Sequence, residues 1–204
     1  MKEKKLASFY CQNGQQIETA SERRNTMKGT TVLVALLFVA STAFAAAPQK
    51  VLDLANGDLA KMGQDAKIVE ADKAQNAQGI TMDQIKKLDE EWIATKKAGQ
   101  KPALMVEKMN NDCAKYLNEL KGKSAYITEI FVTDNQGGNV CQTDPTSDYW
   151  QGDEAKFTKV FNGAPIASDV EVDDGINVSQ ASVPVVDGGK HIGTITIGIN
   201  VDKL

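Results

Sequence analysis

Apolar residues Val51, Leu54, Leu59, Met62, Ala66 and Val69 recur at three- to five-residue steps from Val51 to about Gln78. This predicts helix, weakened at Asn56-Gly57. Thr81-Met82-Asp83-Gln84 has the form of a capping box, in which the Thr and Gln side chains each satisfy a free backbone N–H. It opens a second helix with Met82, Ile85, Leu88 and Trp92 on one face, closed by Lys96, Lys97 and Gly99. Pro102 suits the first position of a third helix. Its stripe of Met105, Met109, Cys113, Tyr116, Leu117 and Leu120 ends at Gly122.

After Ser124 the period shortens to two, and the β-branched and aromatic run Tyr126 to Thr133 predicts a strand. The turn Asp134 to Asn139 returns the chain as a second strand, Val140 to Thr143. A turn and short helix are expected over 144–161, with Ser147 or Asp148 as cap. Val170 to Val172 is a short third strand. Ile176–Val186 and His191–Asn200 are longer strands joined by Asp187-Gly188-Gly189, a hairpin signal. Pro184 places the fourth strand at an edge or a bulge, whereas Ile192, Ile195, Ile197 and Ile199 make the fifth central. The predicted class is α+β: a five-stranded antiparallel sheet, long N-terminal helices on one face and a short helical crossover on the other.

The leader alters the picture of charge. Met27-Lys28, the apolar run Val32–Ala40 and Ala43-x-Ala45 read as a signal peptide over 27–45, preceded by a mis-assigned extension over 1–26. The alternatives are a long n-region and an uncleaved N-terminal anchor. Residues 46–204 are then one exported domain, periplasmic or secreted, with 17 basic against 24 acidic residues and no arginine. That composition disfavours nucleic acid and anionic membrane as partners and removes guanidinium forks as ligand grips. Cys113 and Cys141 are the remaining cysteines. In an exported chain an even pair suggests a disulfide, the other reading being two buried thiols.

Candidate chemistry centres on Asp144 to Phe157. Tyr149 and Trp150 are expected to wall a pocket or fill the core. If they begin a helix, Asp153 lies one turn on and can accept from an ammonium or hydroxyl. Lys156 is the nearest cation for a carboxylate, and Gln151 a hydrogen-bonding group. Thr128, Gln180 and Ser182 are polar strand residues that face either the pocket floor or solvent. His191 is the single histidine and has no cluster of metal-ligating residues around it, so no metal or other cofactor is expected. The oxygens of the 134–139 turn fit turn chemistry better than a calcium loop.

Together these pieces resemble the Cache domain, also called PDC, an extracellular PAS-like sensor module. The resemblance rests on Ile130-Phe131-Val132-Thr133-Asp134 with Gly137 or Gly138 and Val140, on Thr146 to Glu154, on Val183-Pro184-Val185 and on Ile192 to Ile199. It implies a PAS-like fold and a small ligand held between the sheet and the segment after the second strand. Family ligands are carboxylates, amino acids, amines or other small metabolites. Two departures are visible. No arginine stands near the aromatic pair, and the expectation is a free-standing domain without the second membrane span and output module usual in the family. The expectation is a non-enzymatic periplasmic sensor, binding a small carboxylate or alternatively an amine and relaying occupancy to a separate partner such as a membrane receptor. A ligand-free envelope assembly protein and, less favoured, an exported hydrolase using His191 are the competing readings.

Overall fold

The computed structural model describes residues 48–204. The predicted leader, 27–45, and the 1–26 extension lie outside the described residues. Six helices come first: α1 (Gln49–Asn56), α2 (Asp58–Met62), α3 (Ala66–Asn76), α4 (Met82–Lys97), α5 (Ala103–Asn110) and α6 (Asp112–Gly122). Then follow β1 (Ile127–Thr133), β2 (Asn139–Gln142), the short α7 (Ala155–Thr158), β3 (Ile166–Ala167), β4 (Glu171–Asp173), β5 (Ile176–Asp187) and β6 (Lys190–Asn200). No helix among the described residues is long and apolar enough to cross a membrane.

The first predicted helix is three pieces. Gly57 leaves helical geometry at φ −108°, ψ −102°, and Asp65 caps α3 by accepting from the Lys67 amide. Gly63, between α2 and α3, lies so close to the Pro184 carbonyl that a Cβ would overlap it. Its own carbonyl accepts from the Val186 amide at 2.8 Å. The predicted third helix likewise divides at Asn111, whose side chain accepts from the Ala114 amide and starts α6. The capping box of α4 forms as expected, with Thr81 and Gln84 exchanging bonds.

All strand pairs are antiparallel, in the order β2-β1-β6-β5-β3, with β4 paired to the first residues of β5. This is the predicted α+β, PAS-like class, with five strands in the main row and a sixth beside it. The predicted strand at 170–172 is β4, displaced to the side of the row. The strand that completes the row is β3, two residues long and too short to leave a periodic signal. β6 is central, as its isoleucines predict. Pro184 pairs with Thr194 on one side only, so its missing N–H costs no ladder bond.

Side-chain alternation divides the sheet. Ile130, Val132, Ala181, Val183, Ile195, Ile197 and Ile199 point to one face and join Val51, Ala55, Leu59, Ile68, Ala114 and Leu117 of the helices in the main core. A second core of Ile85, Trp92, Met105 and Tyr149 lies between α4, α5 and the chain after β2. Cys113 and Cys141 are disulfide-bonded, tying α6 to β2 across 5.8 Å between Cα atoms.

Candidate functional site

The sheet face away from the main core is polar. Thr133 and Thr194 pair through their hydroxyls at 2.7 Å, Ser182 and Thr196 at 2.9 Å, and all four residues are buried. Next to them Gln180 Nε2 donates to Glu129 Oε1 at 2.8 Å. α7 closes part of this face with Phe157, while Ser168 anchors the β3–β4 segment to β5: its amide donates to the Gln180 carbonyl, and its hydroxyl accepts from the Gln180 amide. Between these elements is a cleft of about 630 Å³, within the size range of small-ligand sites. Its floor is Glu129, Val178, Gln180 and Ser182. Its walls are Glu154, Lys156 and Lys159 on one side and Ile166 to Asp173 on the other.

The cleft unites three of the residues expected at a ligand site: Lys156, Gln180 and Ser182. Lys156 Nζ is 3.0 Å from Glu154 Oε2 and 5.3 Å from the centre of the Phe131 ring. The ion pair and the ring face hold the ammonium beside the cleft. Thr128 does not line it; its hydroxyl instead occupies the space that a side chain on Gly198 would need.

The aromatic block sits elsewhere, and here the expectation of a helix starting at Ser147 or Asp148 is corrected. Residues 149–151 are not helical and run beside the β1–β2 turn. Trp150 bridges Gly138, Asn139 N donates to the Tyr149 carbonyl, and Gln151 N donates to the Gly137 carbonyl. The Asp89 carboxylate on α4 accepts from the Tyr149 and Trp150 amides at 2.9 and 3.0 Å, which fixes this path. Burial, the largest influence, raises the Asp89 pKa, and the two amides oppose that rise.

Tyr149 is therefore a core residue, 1% exposed, packed on Trp92 at 5.9 Å between ring centroids. Its hydroxyl accepts from Gln75 Nε2, and burial raises its pKa. Trp150 Nε1 donates to the Gln136 carbonyl at 2.7 Å. Gln151 is buried and donates to the Asp148 carbonyl. Asp153 is exposed and follows no helical turn from Tyr149, so the shared-face argument for it fails. None of these four lines the cleft.

Glu129, Lys159, Ser168, Asp169 and Glu171 also line the cleft, outside the block on which the sequence centres the site. Two signals pointed to them. Lys159 is three residues after Lys156, and Glu129 alternates with the inward Ile130 and Val132. The 166–173 segment has no such pattern. A second hollow of about 380 Å³ lies between α1 and Leu204, open to solvent and remote from this polar face. His191 is outside the cleft, its Nδ1 2.6 Å from the Phe161 carbonyl. Among the described residues no group of three or more His, Cys, Asp or Glu is arranged to hold a metal ion.

No family model matches the sequence, and no curated protein matches it. Solved structures do. The sensor domain of the V. cholerae histidine kinase DctB is 14% identical, with a TM-score of 0.42 over 76% of this chain and 55% of that one. An extracellular ligand binding receptor from Desulfohalobium retbaense is 18% identical, with a TM-score of 0.36 over 67% and 25%. The sensory domain of the Campylobacter jejuni chemoreceptor Tlp3, solved with isoleucine bound, is 14% identical, with a TM-score of 0.36 over 76% and 60%. The match thus spans between a quarter and three fifths of those chains. By their descriptions these are sensor and ligand-binding domains, and the chain is similar to them over part of their length.

Proposed function

We propose that residues 46–204 form an exported, non-enzymatic sensor domain that holds a small metabolite in the cleft over β1 and β5. The observation carrying this reading is the convergence of Lys156, Lys159, Gln180, Ser182 and Glu129 on one cavity over an otherwise polar sheet face. A small carboxylate suits it. The two lysines supply positive charge, and the Ser168 and Ser182 hydroxyls and the Gln180 amide supply neutral hydrogen bonds. Glu129, Glu154, Asp169 and Glu171 surround the same space. They favour a ligand that also carries an ammonium group and disfavour multiply charged anions. Occupancy would be relayed to a separate partner such as a membrane receptor, and the leader over 27–45 would deliver the domain to the periplasm.

A thermal-shift panel of small mono- and dicarboxylates, amino acids and amines tests this. Binding stabilises the folded state by mass action. The expected result is a concentration-dependent rise in Tm that Lys156→Ala removes and Trp150→Phe, outside the cleft, retains. No shift across the panel, or a shift untouched by Lys156→Ala and Gln180→Ala, refutes the reading and favours an envelope assembly role.

A further inference from the structure

On the opposite side of the sheet, a carboxyl group is sealed where the proposed ligand does not reach. Asp72 of α3 is 0% exposed. Its Oδ1 accepts from Asn76 Nδ2 at 2.8 Å, while Oδ2 has no hydrogen-bond partner. Gly193 of β6 makes room for it. Both Asp72 Oδ2 and the Thr133 carbonyl oxygen intrude on the space a Cβ at Gly193 would fill. Both oxygens border the same small space over Gly193, and a buried carboxylate oxygen with no donor there, beside another acceptor, is unfavourable. A proton on Oδ2 turns the same geometry into a donor–acceptor pair.

The surroundings work in the same direction. Asp134, in the turn after β1, accepts from the Gln136 and Gly138 amides and from Gln75 Nε2. Burial first, and then the nearby Asp134 charge, push the Asp72 carboxyl up to about 9, against the Asn76 bond that lowers it. Lys73 of α3 is engaged by Asp187 at the end of β5. Lys108 of α5 donates to Gln75 Oε1 and pairs with Glu107. The Tyr149 hydroxyl accepts from the same Gln75 Nε2 that donates to Asp134, and β6 offers Gly193 and the Ile192 carbonyl, which accepts from Asn76 Nδ2. The Asn76 side-chain Oδ1 in turn accepts from the Asn135 amide. Asp72 thus sits where α3, the 134–139 turn and β6 are joined.

We propose that Asp72 is a proton-operated latch: its neutral carboxyl donates from Oδ2 to the Thr133 carbonyl and seats α3 on the sheet, and its ionised form, having lost the proton to solvent, unseats it. Ionisation places a second negative charge beside Asp134 and removes the donor, so the strain falls on the 134–139 turn. That turn carries the Gly137 and Gly138 contacts to residues 149–151. Trp150, bonded to the Gln136 carbonyl, reports on it.

Infrared spectroscopy of the full chain, with tryptophan fluorescence followed from pH 6 to 10.5, tests the latch without any ligand. The expected result at pH 7 is a protonated-carboxyl C=O band that vanishes on alkaline titration together with a fluorescence change. Asp72→Asn removes both. Asp134→Asn keeps the band at pH 7 but lowers the midpoint of its loss by about one pH unit, because the repelling charge that favours the proton on Asp72 is gone. If Asp72→Asn fails to fold, the wild-type band and the Asp134→Asn shift still decide. A wild-type chain with no such band at pH 7, an Asp134→Asn midpoint that does not move, or a fluorescence transition surviving in Asp72→Asn overturns the proposal.

Discussion

Replacing Cys113 and Cys141 together by alanine cuts the one covalent tie between the helical layer and β2. β2 is the edge strand of the row and is only four residues long. Both cysteines are buried, at 7% and 0% exposure, within the main core. The bridge closes a loop with a sequence separation of 28. Chain entropy for that loop amounts to about 3.6 kcal/mol at 25 °C. Losing two sulfur atoms from the core adds on the order of 1 kcal/mol. The double variant is therefore expected to lose about 4.5 kcal/mol, a large part of the stability of an ordinary domain. Urea unfolding at pH 7 measures it. Because the entropic effect acts on the unfolded chain, the m-value should rise as the unlinked chain exposes more surface. Reduced wild-type protein should behave like the variant to within about 1 kcal/mol, the allowance made for the missing sulfurs. A loss below about 1 kcal/mol with an unchanged m-value would mean that the bridge does not restrict the unfolded chain.

Three further outcomes are expected. Tyr149→Phe removes one bond from Gln75 and should cost about 1 kcal/mol in urea unfolding while leaving ligand-induced Tm shifts intact, since Tyr149 is core. Trp92→Ala empties the centre of the second core and should cost about 3–5 kcal/mol by the same assay. Asp72, whose carboxyl is raised to about 9 from an ordinary 3.8, holds more protons folded than unfolded. Stability should therefore fall by about 1.4 kcal/mol per pH unit from about pH 4 to 9, and Asp72→Asn should flatten that slope between pH 5 and 8.

What could be read in advance was local. The capping box at Thr81–Gln84, the β5–β6 hairpin and the β1–β2 pair are each specified by residues a few positions apart, and each formed. The helix breaks at Gly63 and Asn111 were hidden because their causes are distant or small: a carbonyl of β5 for one, a single capping side chain for the other. The acids of the 149–154 block imitate the first turn of a helix, whereas Asp89, some 60 residues away, takes the Tyr149 and Trp150 amides and holds that pair beside the β1–β2 turn. In the same way Tyr149 looked like a pocket wall because its real partners, Gln75 and Trp92, lie far off in sequence. Lys156 is visible in the sequence as the cation nearest the aromatic block, and Gln180 and Ser182 as polar strand residues whose face the sequence leaves open between pocket floor and solvent. The 166–173 wall is not visible there, since it owes its place to Ser168 bonding β5 rather than to any period of its own.

The notch at Gly63 has a consequence for how this protein behaves among copies of itself. Beyond β3, the last residues of β5 would present free backbone donors and acceptors to any passing strand. Pro184 removes one donor there, and the Gly63 carbonyl takes the Val186 amide. The helical layer thereby occupies the stretch of edge at which a neighbouring chain would add a strand. A side chain at residue 63 would lift that cover and turn a capped sheet into a template for intermolecular pairing, so Gly63 guards against aggregation as much as it shapes the fold.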